Sequence, residues 1–186
     1  MKWGNILLNK LSFIITVLIF FSIFIVGCSN SLNYKDEDVA AMVRGEEITV
    51  GDLRLLYTDD KVMSNLEGTV KAMLIMQEAK DMNMDVTEEI EQAIRPYPLE
   101  DTGDKLANSI QEFAKSQGKK LGMGPEEYYM KYQEVTAEMG AYVNAYVMEM
   151  LGETDMEDLE QFDERANQLI DDLMEKYKDE IEIYIK

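Results

Sequence analysis

Apolar and polar positions recur along this chain at two different periods, and the switches between them predict its elements. Val39 to Val43 is a short apolar run that breaks at Arg44-Gly45 and leads on through Glu46-Glu47-Ile48. That is the pattern of a small hairpin turning on a glycine. Thr49-Val50-Gly51-Asp52 carries the Thr-x-x-Asp start of a helix, predicted to run through Tyr57. From Lys61 to Met82 the apolar positions Val62, Met63, Leu66, Val70, Met73, Leu74 and Met76 fall at helical spacing. Thr87 is placed to cap a further helix, closed by Arg95-Pro96-Tyr97-Pro98. A helix over residues 104 to 117 aligns Leu106, Ile110 and Phe113 and is expected to stop at Gly118.

Pro125, followed by Glu126 and Glu127, opens the longest helix, which Gly152 ends. Its stripe runs through Tyr128, Tyr132, Val135, Met139, Tyr142, Val143, Tyr146, Val147, Met150 and Leu151. Thr154 or Asp155 starts the last helix, with Leu159, Phe162, Ala166, Leu169, Ile170, Leu173 and Tyr177 on one face. The period then changes to two: Glu180-Ile181-Glu182-Ile183-Tyr184-Ile185 reads as a half-buried strand. A terminal strand needs a partner, and Val39 to Val43 is the one that fits. The expected fold is therefore mainly α, with a small antiparallel sheet pairing the two ends of the domain at residues 39 to 186.

Upstream of that domain the pattern is different. Lys2 and Lys10 precede an almost unbroken apolar run, Leu11 to Val26, and Gly27-Cys28 is followed at once by polar residues. A basic start, an apolar centre and small residues at a cleavage point are the pattern of an export signal. The run is shorter than the ~20 residues a spanning helix needs. The small residue before Cys28 resembles the lipobox of bacterial lipoproteins, in which the cysteine is acylated and the signal, here residues 1 to 27, is removed. Two acyl chains on that cysteine suffice for stable anchoring. The competing reading is an uncleaved anchor with an incidental cysteine. Either way the domain is expected on the extracytoplasmic face of the cell membrane, joined to it by a polar tether over residues 28 to 38.

Charge and residue types narrow the function. The chain holds 18 basic and 37 acidic residues, a formal −19. Without the two lysines of the signal the mature part stands at −21. Such a surface argues against nucleic acid, whose binding rests on neutralised phosphates, and leaves the lipid as the means of membrane attachment. Histidine is absent and Cys28 is the only cysteine. This removes Ser-His-Asp and Cys-His catalysis and histidine-ligated zinc. No calcium-loop spacing, phosphate loop or G-x-S-x-G is present. No catalytic residue, metal or cofactor is expected. The acid clusters Glu88-Glu89-Glu91 and Asp155-Glu157-Asp158-Glu160 are read as solvated helix faces.

The segment Val39-Ala40-Ala41-Met42-Val43-Arg44-Gly45-Glu46-Glu47-Ile48-Thr49 resembles the opening of the SurA/PrsA-type extracytoplasmic foldases. So do Ala72 to Lys80, ending Gln77-Glu78-Ala79-Lys80, and the Val86-Thr87-Glu88-Glu89-Ile90 stretch after it. Leu121 to Tyr128 and the closing Ile181-Glu182-Ile183 are similar to later parts of that domain, more loosely. Arg44-Gly45 stands where the family has Asn-Gly. The resemblance implies a SurA N-terminal-like, chaperone-like domain; the parvulin isomerase module, roughly a hundred residues of mixed α/β, has no place between Thr49 and Asp179. The expected function is holdase-type binding of unfolded or partly folded exported proteins, without enzyme activity. The alternative is a lipoprotein adaptor or regulator with one dedicated protein partner.

Thioether side chains are adaptable and suit surfaces that accept many partners. Most of the 13 methionines that remain of the 14 once Met1 of the signal is set aside are assigned to packing, Met73, Met139 and Met150 among them. Met82, Met84, Met123 and Met130, with Tyr129, which falls off its helix stripe, are the candidates for a partner-binding surface.

Overall fold

The computed structural model describes residues 33–96, 105–152 and 159–186. Cys28, the signal, Tyr97-Pro98, the expected helix start at Asp104 and the Thr154 or Asp155 start lie outside the described residues. Strands β1 (Val39–Val43) and β2 (Glu46–Thr49) lead into helices α1 (Val50–Leu56), α2 (Asp59–Asp81) and α3 (Thr87–Ala93). Helices α4 (Lys105–Lys120), α5 (Pro125–Leu151) and α6 (Leu159–Lys176) follow, and a short 3-10 turn leads to β3 (Ile181–Ile183). The domain is mainly helical, with one three-stranded antiparallel sheet in the order β2-β1-β3.

The hairpin turn needs positive φ at both central residues, and Arg44 (47°) and Gly45 (83°) supply it. An arginine in this conformation is uncommon, and its side chain is held by a ring and a carboxylate. The guanidinium lies over the Tyr177 ring, 4.4 Å from its centroid. Nη2 donates to Asp81 Oδ2 at 2.8 Å, and Nη1 sits 3.9 Å from Glu78 Oε1, an ion-pair distance too long for a hydrogen bond. The turn is thereby fastened to the end of α2 and to α6. β3 pairs with β1 in the register Ala41↔Ile183 and Val43↔Ile181, so the two ends of the domain meet as the alternation predicts. The burial differs from expectation: Ile183 is 45% exposed, whereas Ile185, two residues beyond the strand, is 3% exposed and part of the main core.

Thr49 and Asp52 close a reciprocal capping box at α1: each side chain accepts the other's backbone N–H, at 3.1 and 2.9 Å. The next donors, Val50 N and Gly51 N, find Asp38 O and Asp36 O, each at 2.9 Å. Arg54 pairs with Asp36 and donates to Tyr34 O. The described part of the expected tether, residues 33–38, is therefore seated on α1 rather than free, because it satisfies amide groups that a helix start leaves open.

Helix α2 is the centre of the molecule, packed by β1, α1, α5 and α6. With neighbours on several sides it buries Val62, Leu66, Val70 and Leu74 as expected, and also Thr69, Ile75 and Ala79 outside the predicted stripe, while Met63 is 37% exposed. At α3 the cap is not Thr87, which is the first helical residue. The Asp85 carboxylate takes its N–H at 3.1 Å and its hydroxyl at 2.7 Å. Nor does Gly118 end α4. The helix continues to Lys120 and turns at Gly122, φ 70°. Gly118 is where the backbone of the next loop comes closest: a Cβ there would stand 2.9 Å from Met123 O.

Candidate functional site

The described residues pack as two apolar clusters. The main one joins the sheet, α1, α2, Tyr146 of α5 and Leu173 of α6. The second joins Leu55, Ala114, Tyr128 and Tyr129. Helix α1 spans both, placing Leu53 in the first and Leu55 in the second. Its last carbonyls have no helical partner, and two donors from later in the chain reach this end of the helix. Tyr128, fully buried, donates to Leu55 O at 2.9 Å, and buried Gln117 donates to Tyr57 O at 3.1 Å. Burial pushes the Tyr128 hydroxyl up to about 12, so it remains a donor. Phe113 meets Tyr128 and Tyr132 edge-on, each at 5.8 Å.

Where the two clusters meet they leave a cleft of about 240 Å³. β2 lines it with Glu46, Glu47 and Ile48, and α1 with Asp52, Leu55 and Leu56. Met73 and Met76 reach it from α2, and Val135 and Met139 from α5. Residues three and four apart share a helix face, which brings Met73 and Met76 together with Gln77 and Lys80, and sets Lys131, Val135 and Met139 in one row. The lining is apolar, with thioethers from two helices, and its rim is charged. A smaller depression beside it shares Leu56 and Met139 and adds Tyr57, Tyr132 and Thr136.

The cleft walls are fixed by the Gln77-Glu78-Ala79-Lys80 segment. Gln77 Nε2 donates to Val43 O at 2.9 Å, tying α2 to β1. Ala79 is fully buried, and Lys80 pairs with Glu138 of α5 at 2.9 Å, 5.0 Å from the centroid of the Tyr142 ring. That pairing raises the Lys80 ammonium above its ordinary range. Glu78 accepts from Tyr177 and from Lys176 Nζ, the latter at 2.9 Å. Burial alone would raise its carboxyl, but these donors, with Arg44 nearby, hold it below the ordinary carboxylate range. All four residues thus hold elements together.

None of the five residues assigned to a partner-binding surface lines the cleft. Met82 is 44% exposed at the end of α2, and Met84 packs against the main core. Met123 and Met130 pack on the second cluster. Tyr129, expected at the surface, is 6% exposed. Consecutive helical residues point about 100° apart, and Tyr128 and Tyr129 both enter the second cluster with Leu55 of α1 and Ala114 of α4. Met150, assigned to packing, is 48% exposed beyond the last buried pair of α5, Tyr146 and Val147. The methionines at the cleft, Met73, Met76 and Met139, were legible only as members of packing stripes. Periodicity marks the inward face of a helix without saying whether a neighbour fills the space before it.

Among the described residues no group of three or more His, Cys, Asp or Glu is placed to hold a metal ion. No described helix is long and apolar enough to cross a membrane. The chain matches no family model, no curated protein and no solved structure.

Proposed function

We propose that this chain is a lipoprotein, anchored through acylated Cys28 on the extracytoplasmic face of the cell membrane, that holds apolar segments of exported polypeptides. The cleft between β2, α1, α2 and α5 is the holding site. The observation that carries this reading is the convergence of Met73, Met76 and Met139 from two helices on one open apolar cleft. Flexible, polarizable side chains accept varied apolar shapes without selecting one. The resemblance of residues 39 to 94 to the SurA/PrsA-type domain supports the same reading, and the pattern of residues 1 to 28 supports the anchor. The chain performs no covalent chemistry in this account.

The test is refolding of an unrelated, aggregation-prone protein whose slow phase is a proline isomerisation, tens of seconds or longer when uncatalysed. The chain is expected to lower aggregate yield near stoichiometric ratios and to leave the slow rate constant unchanged. Met76→Glu with Met139→Glu should abolish the protection, since a carboxylate in an apolar cleft carries a desolvation cost. A rate that rises at substoichiometric protein would overturn the assignment in favour of an isomerase. Failure to protect any client, with crosslinking to a single native protein, would favour an adaptor with one dedicated partner.

A further inference from the structure

We infer that the cleft selects extended apolar segments flanked by lysine or arginine and rejects the same segments flanked by acids. This rests on the cleft being a holding site and adds what it chooses. Among the described residues β2 is an edge strand, with β1 on one side and no strand on the other. Three consecutive β2 residues line the cleft, and consecutive strand residues face opposite ways, so the cleft runs along that free edge. The two-residue turn makes Val43↔Glu46 the hydrogen-bonded pair, and Met42↔Glu47 comes next. Pairs alternate in an antiparallel ladder. The N–H and C=O of Glu47 therefore point away from β1, toward an incoming chain. Further along, the N–H of Thr49 is already taken by Asp52. One open residue is enough to align an extended segment and too little to add a full strand, which leaves side chains to decide selection.

The apolar floor is permissive, so the rim decides. Glu46 and Glu47 are exposed, and among the described residues neither has a cation within ion-pair distance. The other charges at this rim are committed or outnumbered: Lys80 pairs with Glu138 and reaches Glu46 only at longer range, Asp52 serves the α1 cap, and Lys131 stands on the α5 wall. A second copy of this chain is disfavoured as occupant, because the mature part carries the same −21 and like fields repel. A basic flank answers both the two unpaired acids and the field around them. At about 240 Å³ the cleft is below the ~300 Å³ at which pockets begin to enclose whole small ligands; it takes a few side chains of a passing polypeptide.

The experiment measures fluorescence anisotropy of two labelled peptides against the full chain in nanodiscs of zwitterionic lipid. The peptides share one apolar core, flanked by lysines in one and by glutamates in the other. Two to four rim interactions of the exposed kind predict about tenfold tighter binding of the lysine peptide at low salt, shrinking at high salt. Glu46→Lys with Glu47→Lys should reverse the preference, and Glu46→Gln with Glu47→Gln should flatten it. Glu88→Lys with Glu89→Lys, the same change of net charge on α3 away from the cleft, should leave it intact. Equal binding of both peptides to the native chain would overturn this inference while leaving the holding function standing. So would a preference lost equally in the α3 variant, since overall charge would then be the cause. Binding of neither peptide would sink the holding function as well.

Discussion

Truncating two isoleucines of one terminal segment to alanine should have very different costs, and the difference tests how the chain ends are joined. Alternation along Ile181, Ile183 and Ile185 predicts equal burial, yet the structure buries Ile185 to 3% exposure and leaves Ile183 at 45%. Ile185 lies in the main core with Val43, Leu53 and Leu74. Ile185→Ala opens a cavity there and should cost about 2–5 kcal/mol. Ile183→Ala removes a methyl-bearing group already half in water, opposite Ala41, and should cost about 1 kcal/mol or less. For a domain of this size each kcal/mol moves the melting temperature by about 2–4 °C. Thermal denaturation followed by circular dichroism, on the compact unit Leu32–Lys186, should therefore separate the variants by several degrees, Ile185→Ala melting lower. Both changes delete the same atoms, and strand preference, which bears on Ile183 inside β3, would act in the opposite direction to the gap. Equal shifts, or a lower melting point for Ile183→Ala, would refute the argument that Ile185 rather than the strand face locks the terminus to the core.

Two further measurements probe the packing around the cleft. Gly118→Ala sets a Cβ 2.9 Å from Met123 O and 3.2 Å from Gly124 O, both backbone, and should destabilise by about 1–3 kcal/mol. Gly140→Ala, in α5 with nothing within 4 Å, should stabilise by about 0.5–1 kcal/mol; urea midpoints moving in the same direction would contradict this. Glu78 has a folded-state pKa below its ordinary 4.5, so the folded chain binds fewer protons there than the unfolded one. Its contribution is complete above about pH 4.5 and is lost as pH falls through the folded value. Glu78→Gln should accordingly be less stable than the native chain by about 1–2 kcal/mol at neutral pH, the scale of charge-assisted hydrogen bonds. That gap should close on acidification, and a gap independent of pH would refute the network.

Local chemistry alone placed most of the elements. The Thr49-Asp52 capping box, Pro125 at the start of α5 and Gly152 at its end act through groups a few residues away, so their signals survive without tertiary context. The period-two run from Glu180 to Ile185 predicts a strand, and a single other apolar run could pair with it; the strand itself covers Ile181–Ile183. Tertiary packing decided what no short window contains. Gly118 reads as a helix stop because glycine tolerates left-handed backbone; in the fold it serves a close backbone approach, and Gly122 makes the turn. Tyr129 reads as exposed beside one stripe, and the second apolar cluster buries it. Met73, Met76 and Met139 read as packing residues because their spacing faces inward. The short α1 joins two apolar clusters without filling the space between them, and that gap turns three packing methionines into the lining of a cleft. Whether an inward face meets a neighbour or a gap depends on helices distant in sequence, and only the assembled structure fixes it.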